Sequence, residues 1–510
     1  MCCVVCFLFC CFGVVKPPSL GYRHVVALIG FASCFLVNIQ RMSLGVAIVA
    51  MVNQTVPDRL AESNSTAIVC PYSNETKSSS VKKVEGDFPW NSQQQGLVLG
   101  IGFLGFFFAT IPASMLIKAL QAKRVALFGS ILSSVVTMLC PIASELHVNA
   151  MIVAQFVRGI GQGFLFVSLF VLMANWFPRK ERGLLSTCVI SGYSIGSAVA
   201  SAVTGYICDV PELGWEGSFY IMGGIGVFHA ALVIVLLYET PQSHPKISSA
   251  ELLYLSADEE KNASNNVPKT PWLKILSSIP FYALLIGLLG QYWCFSYFWT
   301  VHSTFLGTIQ HFPITENGVW SCLPFLMKAC GEYSSSSISN WLLMKKYVTV
   351  NVLRRTCNSI GCIGFSAAVL GTYYSGCNGS MSAVTAAVSM FFTGVATAGA
   401  MITCIDMAPR FAGSLSAFLN GAGCWVSFLL PIIVGLITRN KLLTEWHTVF
   451  FISISFVMLS GVIFAIFGSA EVQPWNFVEE DVKKDINSLE LNKERETSPQ
   501  STGGLPNNHR

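Results

Sequence analysis

Arg41 lies within a long apolar run, residues 22–53. Of all residues in the chain, its type and position most clearly predict a functional role. A charged side chain at membrane depth costs roughly 3 to more than 10 kcal/mol, so such residues usually face a water-filled cavity or a partner. An arginine fork binds carboxylate or phosphate through parallel hydrogen bonds. Arg41 is therefore interpreted as an anion contact. The alternative is an arginine that extends to the membrane interface or pairs with a buried acid.

Another apolar run carries Arg158 and Gln162, which are four residues apart and therefore share one helix face. Both are predicted to bind the substrate, with Arg158 as a second anion contact beside Arg41. The glycines around them favour close helix packing, and no strand-to-helix turn is predicted that would make them a nucleotide-binding loop. Lys328 and Glu332 have the same spacing in a later run. They either neutralise each other as an ion pair or take part in substrate binding or ion coupling. If they pair, the remaining interior charge is positive, which predicts an anionic cargo.

Gln291 begins an aromatic-rich run, QYWCFSYFW at residues 291–299, and His302 follows three residues after it. These polar groups and rings can bind and stack an aromatic cargo. The alternative is that most of the rings pack against other helices or lie in lipid.

The sequence contains no Walker-type phosphate loop and no His, Cys or Asp cluster with metal-ligand spacing. An enzyme, a cofactor and a metal site are therefore not predicted, and the energy for transport must come from an ion gradient or the membrane potential.

The elements that position these residues are membrane helices. Of the 510 residues, 53% are hydrophobic and 11% are charged, whereas soluble domains carry roughly 25% charged residues. This composition predicts a membrane protein with several spans, surrounded by a lipid bilayer. It does not indicate a nucleic-acid partner. Apolar runs long enough to cross a bilayer are placed at 24–52, 93–117, 125–144, 148–176, 184–208, 218–238, 279–308, 317–343, 356–376, 381–405, 411–438 and 446–468. The predicted fold class is all-α, with twelve transmembrane helices and no barrel-like alternation.

A polar stretch at 239–277 divides the chain into two six-helix halves, 22–238 and 278–468, as in many transporters. Lysine and arginine concentrate in the loops on one side, which predicts that this side is cytoplasmic. The N-terminal segment 1–21, the central loop 239–277 and a disordered tail at 469–510 are then cytoplasmic.

The loop 53–92 is predicted to lie outside, and its sequons at Asn64 and Asn74 predict glycosylation there. Cys70 and Cys377 both fall in predicted outer loops and can pair, although the sequence does not establish this bond. Five of the 18 cysteines lie in the first eleven residues. That cluster is consistent either with reversible acylation or with a plain apolar extension.

Seven collinear blocks between residues 22 and 476 give the chain a resemblance to the anion transporter family of the type I sodium/phosphate cotransporters, sialin and the vesicular glutamate transporters, within the major facilitator superfamily. The blocks are QRMSLGVAIVAMVN, NWFPRKERGLLST, GWEGSFYIMGGIG, ETPQSHPKISSAE, ENGVWSCLPFL, IDMAPRFAG and FGSAEVQPW. The resemblance implies the major facilitator fold, alternating access, and Arg41 as the counterpart of the first-span arginine implicated in anion binding.

The departures from the family pattern are informative. Gln155 and Gln162 stand where sialin and the vesicular glutamate transporters carry an arginine and a glutamate linked to proton coupling, and Arg158 is displaced by one helical turn. Leu99 replaces the second-span histidine of the glutamate transporters. Gln162 is more similar to the type I sodium/phosphate cotransporter branch, whose members carry organic anions such as urate.

The predicted function is secondary active transport of urate-like organic anions, inorganic phosphate or both, driven by membrane potential or sodium. Sodium and chloride are the candidate ions, a small anion is the substrate, and the plasma membrane, in particular an apical one, is favoured over vesicles or lysosomes. The alternatives are a proton-coupled, sialin-like carrier of acidic sugars or amino acids, an anion channel, and a degenerate carrier that acts by binding partners.

Overall fold

A computed structural model describes residues 21–53, 70, 86–259 and 270–476. The predicted glycosylation sites Asn64 and Asn74, the cysteine-rich start of the chain and the tail after residue 476 lie outside the described residues.

The first half consists of six long helices, each apolar enough to lie in a bilayer. They are α1 Tyr22–Met51, α2 Ser92–Leu120, α3 Ala122–Leu146, α4 Val148–Trp176, α5 Arg179–Asp209 and α6 Gly214–Leu236. Two shorter helices follow in the central connection, α7 Ser249–Glu259 and α8 Trp272–Leu276.

The second half also has six spans, two of which are interrupted. Its helices are α9 Ile279–Thr300, α10 His302–Thr308, α11 Ile314–Met344, α12 Val350–Ser375, α13 Gly379–Ala396, α14 Ile402–Met407, α15 Ala412–Ile437 and α16 Leu443–Phe467. The seventh span, predicted as one run over 279–308, is interrupted at Val301. A π-helical turn, Thr397–Met401, joins α13 to α14.

The prediction of an all-helical membrane protein is confirmed. Within the described residues, ten spans meet a simple length and hydropathy criterion. The other two, α11 and α12, contain more polar side chains: Lys328 and Glu332 lie in α11, and Arg354 and Arg355 lie in α12. α11 packs on α13 of the second half and on α5 of the first half, and α12 packs on α13 and α16, so charged groups can find partners on neighbouring helices.

The two halves touch at the end that carries Asn53 and Cys377, which we name the outer end. There α2 packs on α15, and Ser92 Oγ donates a hydrogen bond to the Thr438 carbonyl over 2.9 Å. α5 crosses α11 so closely that a Cβ on Gly205 would lie 2.8 Å from the Gly318 Cα. The outer end is therefore closed by direct helix contact.

A disulfide also joins the halves at the outer end. Cys70, in the loop after α1, is bonded to Cys377, in the loop between α12 and α13. Sequence placed both cysteines in outer loops without establishing the bond, and the structure forms it.

At the opposite end, which we name the inner end, the central connection packs on the first half. The buried Arg23 guanidinium lies 2.7 Å from a Glu181 oxygen and 3.1 Å from a Glu251 oxygen of α7. The Glu251 carboxylate also accepts the Tyr22 backbone N–H over 2.8 Å. These ion pairs fix α7 to the start of α1.

The prediction that disorder begins at residue 469 is wrong for the first eight residues of the tail. The Gln473 N–H donates to the Met407 carbonyl over 3.0 Å, and Trp475 is buried against the end of α14 and the start of α15. An aromatic side chain that removes this much apolar surface from water holds the segment in place.

Candidate anion-binding site

Arg41 lies about two thirds of the way along α1, and its side chain contacts residues of α2 and α4. Its Nε donates to Gln162 Oε1 over 3.1 Å, and its guanidinium carbon lies 4.6 Å from the Phe103 ring centroid and 5.2 Å from that of Phe106. Cation–π contacts of this kind hold a guanidinium plane in one orientation. The Arg41 Nη2 is buried and has no hydrogen-bond partner, so one edge of the guanidinium is left to bind something else.

Arg158 lies one helical turn before Gln162 on α4 and is only 2% exposed. Its Nη1 donates to the Gln40 carbonyl over 2.8 Å, while its Nε has no partner. Gln162 Nε2 contacts the Val37 carbonyl and Gln40 Oε1, each at 3.4 Å. The structure therefore brings together three residues that were predicted from sequence to bind substrate.

No carboxylate among the described residues forms an ion pair with Arg41 or Arg158. A buried charge or donor without a partner costs several kcal/mol in an apolar medium. Two guanidiniums with unpaired donors and only neutral neighbours therefore form a centre that an anion stabilises.

A series of aromatic rings extends from this centre into the second half. Phe103 stacks on Trp299 with centroids 6.1 Å apart, and Trp299 stacks on Phe295 at 5.8 Å. The Lys328 ammonium lies 4.6 Å from the Phe295 centroid. α1 comes close to α9 here because Gly45 has no side chain: a Cβ on it would lie 2.7 Å from the Trp299 carbonyl oxygen. The rings thus connect Arg41 in one half to Lys328 in the other.

Lys328 and Glu332 form the ion pair that their spacing allows, with Nζ 2.5 Å from Oε1. Lys328 Nζ also lies 3.5 Å from Ser194 Oγ on α5, and Thr397 Oγ1 lies 3.5 Å from the Glu332 carboxylate. The pair is partly exposed and touches both halves. Its charge is neutral overall, so the net positive charge remains at Arg41 and Arg158.

Exchange of the two charges provides a test of their role. Lys328→Glu combined with Glu332→Lys keeps the pair, and we expect it to retain at least about half of wild-type transport if the pair is structural. The single change Lys328→Met leaves Glu332 uncompensated, and we expect it to reduce transport at least about tenfold. Uptake by purified protein in liposomes measures both. A double variant as inactive as the single one would contradict a purely structural pair and assign Lys328 or Glu332 a direct role in substrate binding or ion coupling.

Gln291 and His302, also predicted to bind substrate, lie apart from Arg41. Gln291 Nε2 donates to the Ala396 carbonyl over 2.8 Å, at the start of the π-helical turn, and contacts Asn358 Oδ1 at 3.3 Å. His302 is 1% exposed and packs near the rings of Tyr297 and Phe298, with both ring nitrogens unpaired. In this conformation neither residue contacts the arginine centre.

Sequence reasoning missed Phe103 and Phe106 as neighbours of Arg41. The run GFLGFFF at 102–108 is visibly aromatic. However, all of α2 is so apolar that no periodicity indicates which ring faces α1 rather than lipid. Only the packing of α1, α2 and α4 selects these two rings.

Two six-helix halves around a buried cationic centre define a secondary membrane transporter of anions. The sequence model of the Major Facilitator Superfamily matches residues 30–424. A solved structure of a D-xylose-proton symporter superposes with a TM-score of 0.66 at 11% identity, covering 89% of this chain and 100% of the symporter chain.

Three transporters of animals are similar to this chain over most of their length. Sialin of Homo sapiens is 28% identical, covering 90% of this chain and 92% of sialin. Vesicular glutamate transporter 1 of Bos taurus is 30% identical, with 92% and 80% coverage. The probable small intestine urate exporter of Mus musculus is 28% identical, with 90% and 93% coverage. The chain belongs to the major facilitator superfamily and, within it, to the anion transporter family of sialin and the vesicular glutamate transporters.

Proposed function

We propose that this protein carries planar organic anions of the urate type, inorganic phosphate or both, by alternating access. The observation that carries the proposal is the buried, unpartnered Nη2 of Arg41 beside Arg158, since neither guanidinium forms an ion pair with a carboxylate of the described residues. Two fixed guanidinium donors match the paired oxygens of a carboxylate, a urate-type anion or a phosphate.

The rings around the centre favour an organic cargo. Phe103 and Phe106 face the Arg41 guanidinium, and Trp299 continues the apolar wall toward the second half. Flat apolar walls with a few fixed polar groups are typical of sites for small organic ligands. A planar anion gains both stacking and charge pairing in such a site.

Coupling to membrane potential or sodium is supported by Gln162. The side chain in contact with Arg41 is a neutral amide, which neither gains nor loses a proton between pH 5 and 8. Arg41 and Arg158 are permanently charged, and no carboxylate of the described residues forms an ion pair with them that could carry a proton. The rate at which such a carrier moves an anion depends on the membrane potential. The neutral amide at residue 162 also favours the type I sodium/phosphate cotransporter branch.

The plasma membrane remains the proposed location, with the loop 53–92 outside and the central connection in the cytoplasm.

Uptake into proteoliposomes that contain the purified protein tests both the identity of the cargo and the driving force. We expect labelled urate to enter when an inside-positive potential is imposed, at a rate at least about a hundredfold above liposomes that contain Arg41→Ala protein. A sodium gradient and a proton gradient, each imposed at zero potential, are the comparisons, and labelled phosphate is the second cargo. Uptake that requires the proton gradient would contradict the proposed coupling.

A second function, proton-coupled carriage of an acidic sugar or amino acid, is favoured by one observation. Glu332 is a membrane-embedded carboxylate that contacts both Lys328 and Thr397, and such groups often carry protons in transporters. Counter-flow of a preloaded cargo separates either carrier from an anion channel, because a channel does not exchange one cargo molecule for another.

A further inference from the structure

Gln40 is the neighbour of Arg41 on α1, is fully buried, and contacts both other polar members of the arginine centre. Its backbone carbonyl accepts a hydrogen bond from Arg158 Nη1 over 2.8 Å, and its side-chain oxygen lies 3.4 Å from Gln162 Nε2. Neighbouring residues of a helix point about 100° apart, so the side chains of Gln40 and Arg41 leave α1 in different directions. Gln40 thus holds Arg158 by its backbone and reaches Gln162 by its amide.

A serine of α3 determines the direction of the Gln40 amide. Gln40 Nε2 donates to Ser134 Oγ over 3.2 Å, and the Ser134 hydroxyl donates its single proton to the Ser130 carbonyl over 2.6 Å. Ser134 Oγ can therefore only accept from Gln40, which turns the Gln40 NH₂ group toward α3 and its oxygen toward Gln162. The contact depends on Gly226 of α6, because a Cβ there would overlap Ser134 Oγ and lie 2.9 Å from Gln40 Nε2.

Gln162 is oriented in the same way. Its Nε2 faces two acceptors, the Gln40 side-chain oxygen and the Val37 carbonyl, so its own oxygen is turned toward Arg41 Nε. With the amide reversed, an NH₂ group would meet the Nε–H of Arg41, and neither group can accept a hydrogen bond. The direction set at Ser134 is therefore passed through two amides to the guanidinium.

We propose that Gln40 is a positioning residue of the arginine centre. Anchored by Ser134, its amide orients Gln162, which binds Arg41 through Nε and leaves Nη2 free for the anion. Helix α3 thereby acts on anion binding through Ser134. This role rests on the proposed function, because its effect is on the binding of the cargo to Arg41.

Uptake of labelled urate, measured as a function of urate concentration, tests the role of Gln40. We expect Gln40→Leu to raise the half-saturating concentration about three- to tenfold, because Gln162 loses one of two acceptors, and to leave the maximal rate within about twofold. Ser134→Ala should shift the half-saturating concentration about threefold in the same direction. The matched control is Ser133→Ala, which should behave like wild type: Ser133 is equally buried and donates to the same Ser130 carbonyl, over 3.2 Å, but forms no hydrogen bond with Gln40.

A double-variant cycle separates positioning from a general structural loss. In a Gln162→Leu background, Gln40→Leu should have no further effect, because the residue through which it acts is gone. An equal effect in both backgrounds would overturn the proposal. An unchanged half-saturating concentration in Gln40→Leu and Ser134→Ala, alongside an inactive Arg41→Ala protein, would also overturn it and would leave the proposed function in place.

A measurement without transport tests the geometry even if neither urate nor phosphate is the cargo. In protein that contains isotope-labelled arginine, the magnetic resonance signal of the Arg41 Nε–H is identified by its loss in Arg41→Lys. We expect this proton to exchange with water at least about tenfold faster in Gln40→Leu and Ser134→Ala than in wild type or Ser133→Ala, because a hydrogen bond protects it. Equal exchange in all of these proteins would overturn the proposal. Absence of wild-type uptake of both anions would instead overturn the proposed function, and the exchange rates would then decide the role of Gln40.

Discussion

Replacing Arg41 by alanine is expected to reduce anion uptake at least about a hundredfold without reducing the amount of protein in the membrane. The change removes both the unpaired Nη2 and the Nε that contacts Gln162. A hydrogen bond to a charged group contributes about 1.5–3 kcal/mol, and two of them together correspond to a hundredfold or more in binding. Initial rates of labelled urate and phosphate uptake, normalised to protein per liposome, measure the effect.

Two variants make this result specific. Arg124→Ala removes an exposed arginine of α3 and should transport normally. Arg41→Lys keeps the charge but loses the planar fork, so it should fall between wild type and Arg41→Ala. If Arg41→Ala protein is correctly folded and still transports at more than about a tenth of the wild-type rate, the proposed cargo site is wrong.

Gln162→Glu is expected to produce the second large effect, a loss of uptake that depends on pH. The new carboxylate lies where Gln162 Oε1 now accepts from Arg41, so at neutral pH it competes with the cargo for the guanidinium. We expect uptake at pH 7.5 to fall about tenfold or more. Burial raises the pKa of the new carboxyl group and the two guanidiniums lower it, so uptake should recover only at a pH low enough to protonate the glutamate and make it a neutral group again.

The matched control for that experiment is Gln162→Leu, which removes the amide without adding a titratable group. Its uptake should be reduced to a similar extent at every pH between 5 and 8. Wild-type uptake should also change little over this range if the proposed coupling is correct. A Gln162→Glu protein that transports at the wild-type rate at pH 7.5 would show that residue 162 does not control the arginine centre.

The number of spans and the polar face of α4 could be predicted from sequence because both follow from short-range rules. An apolar run of about 20 residues has to form a helix in lipid, and residues four apart lie on one face. These rules place Arg158 near Gln162 and Lys328 near Glu332, and the structure has both arrangements. The resemblance to the anion transporter family is likewise confirmed.

Contacts between distant segments could not be predicted in the same way. Nothing in the spacing of residues indicates that Arg158 donates to the Gln40 carbonyl or that Phe103 reaches Trp299. Gln291 and His302 were assigned to the site because they are polar groups in an apolar run. In this conformation Gln291 contacts the Ala396 carbonyl beside the π-helical turn and His302 follows the break at Val301, and neither contacts the arginine centre. Breaks of this kind depend on neighbouring helices that satisfy the freed backbone groups, which a hydropathy pattern does not encode.

The Cys70–Cys377 bond gives the polypeptide the topology of a ring. The chain between these cysteines passes through most of the first half, the central connection and three spans of the second half. Each half is thus attached to the other twice, by peptide at the inner end and by sulfur at the outer end. Sixteen residues separate Asn53 from Cys70, and a chain of that length extends at most roughly 55 Å. The ring therefore allows the halves to rock about each other but sets an upper limit on how far the outer end can open.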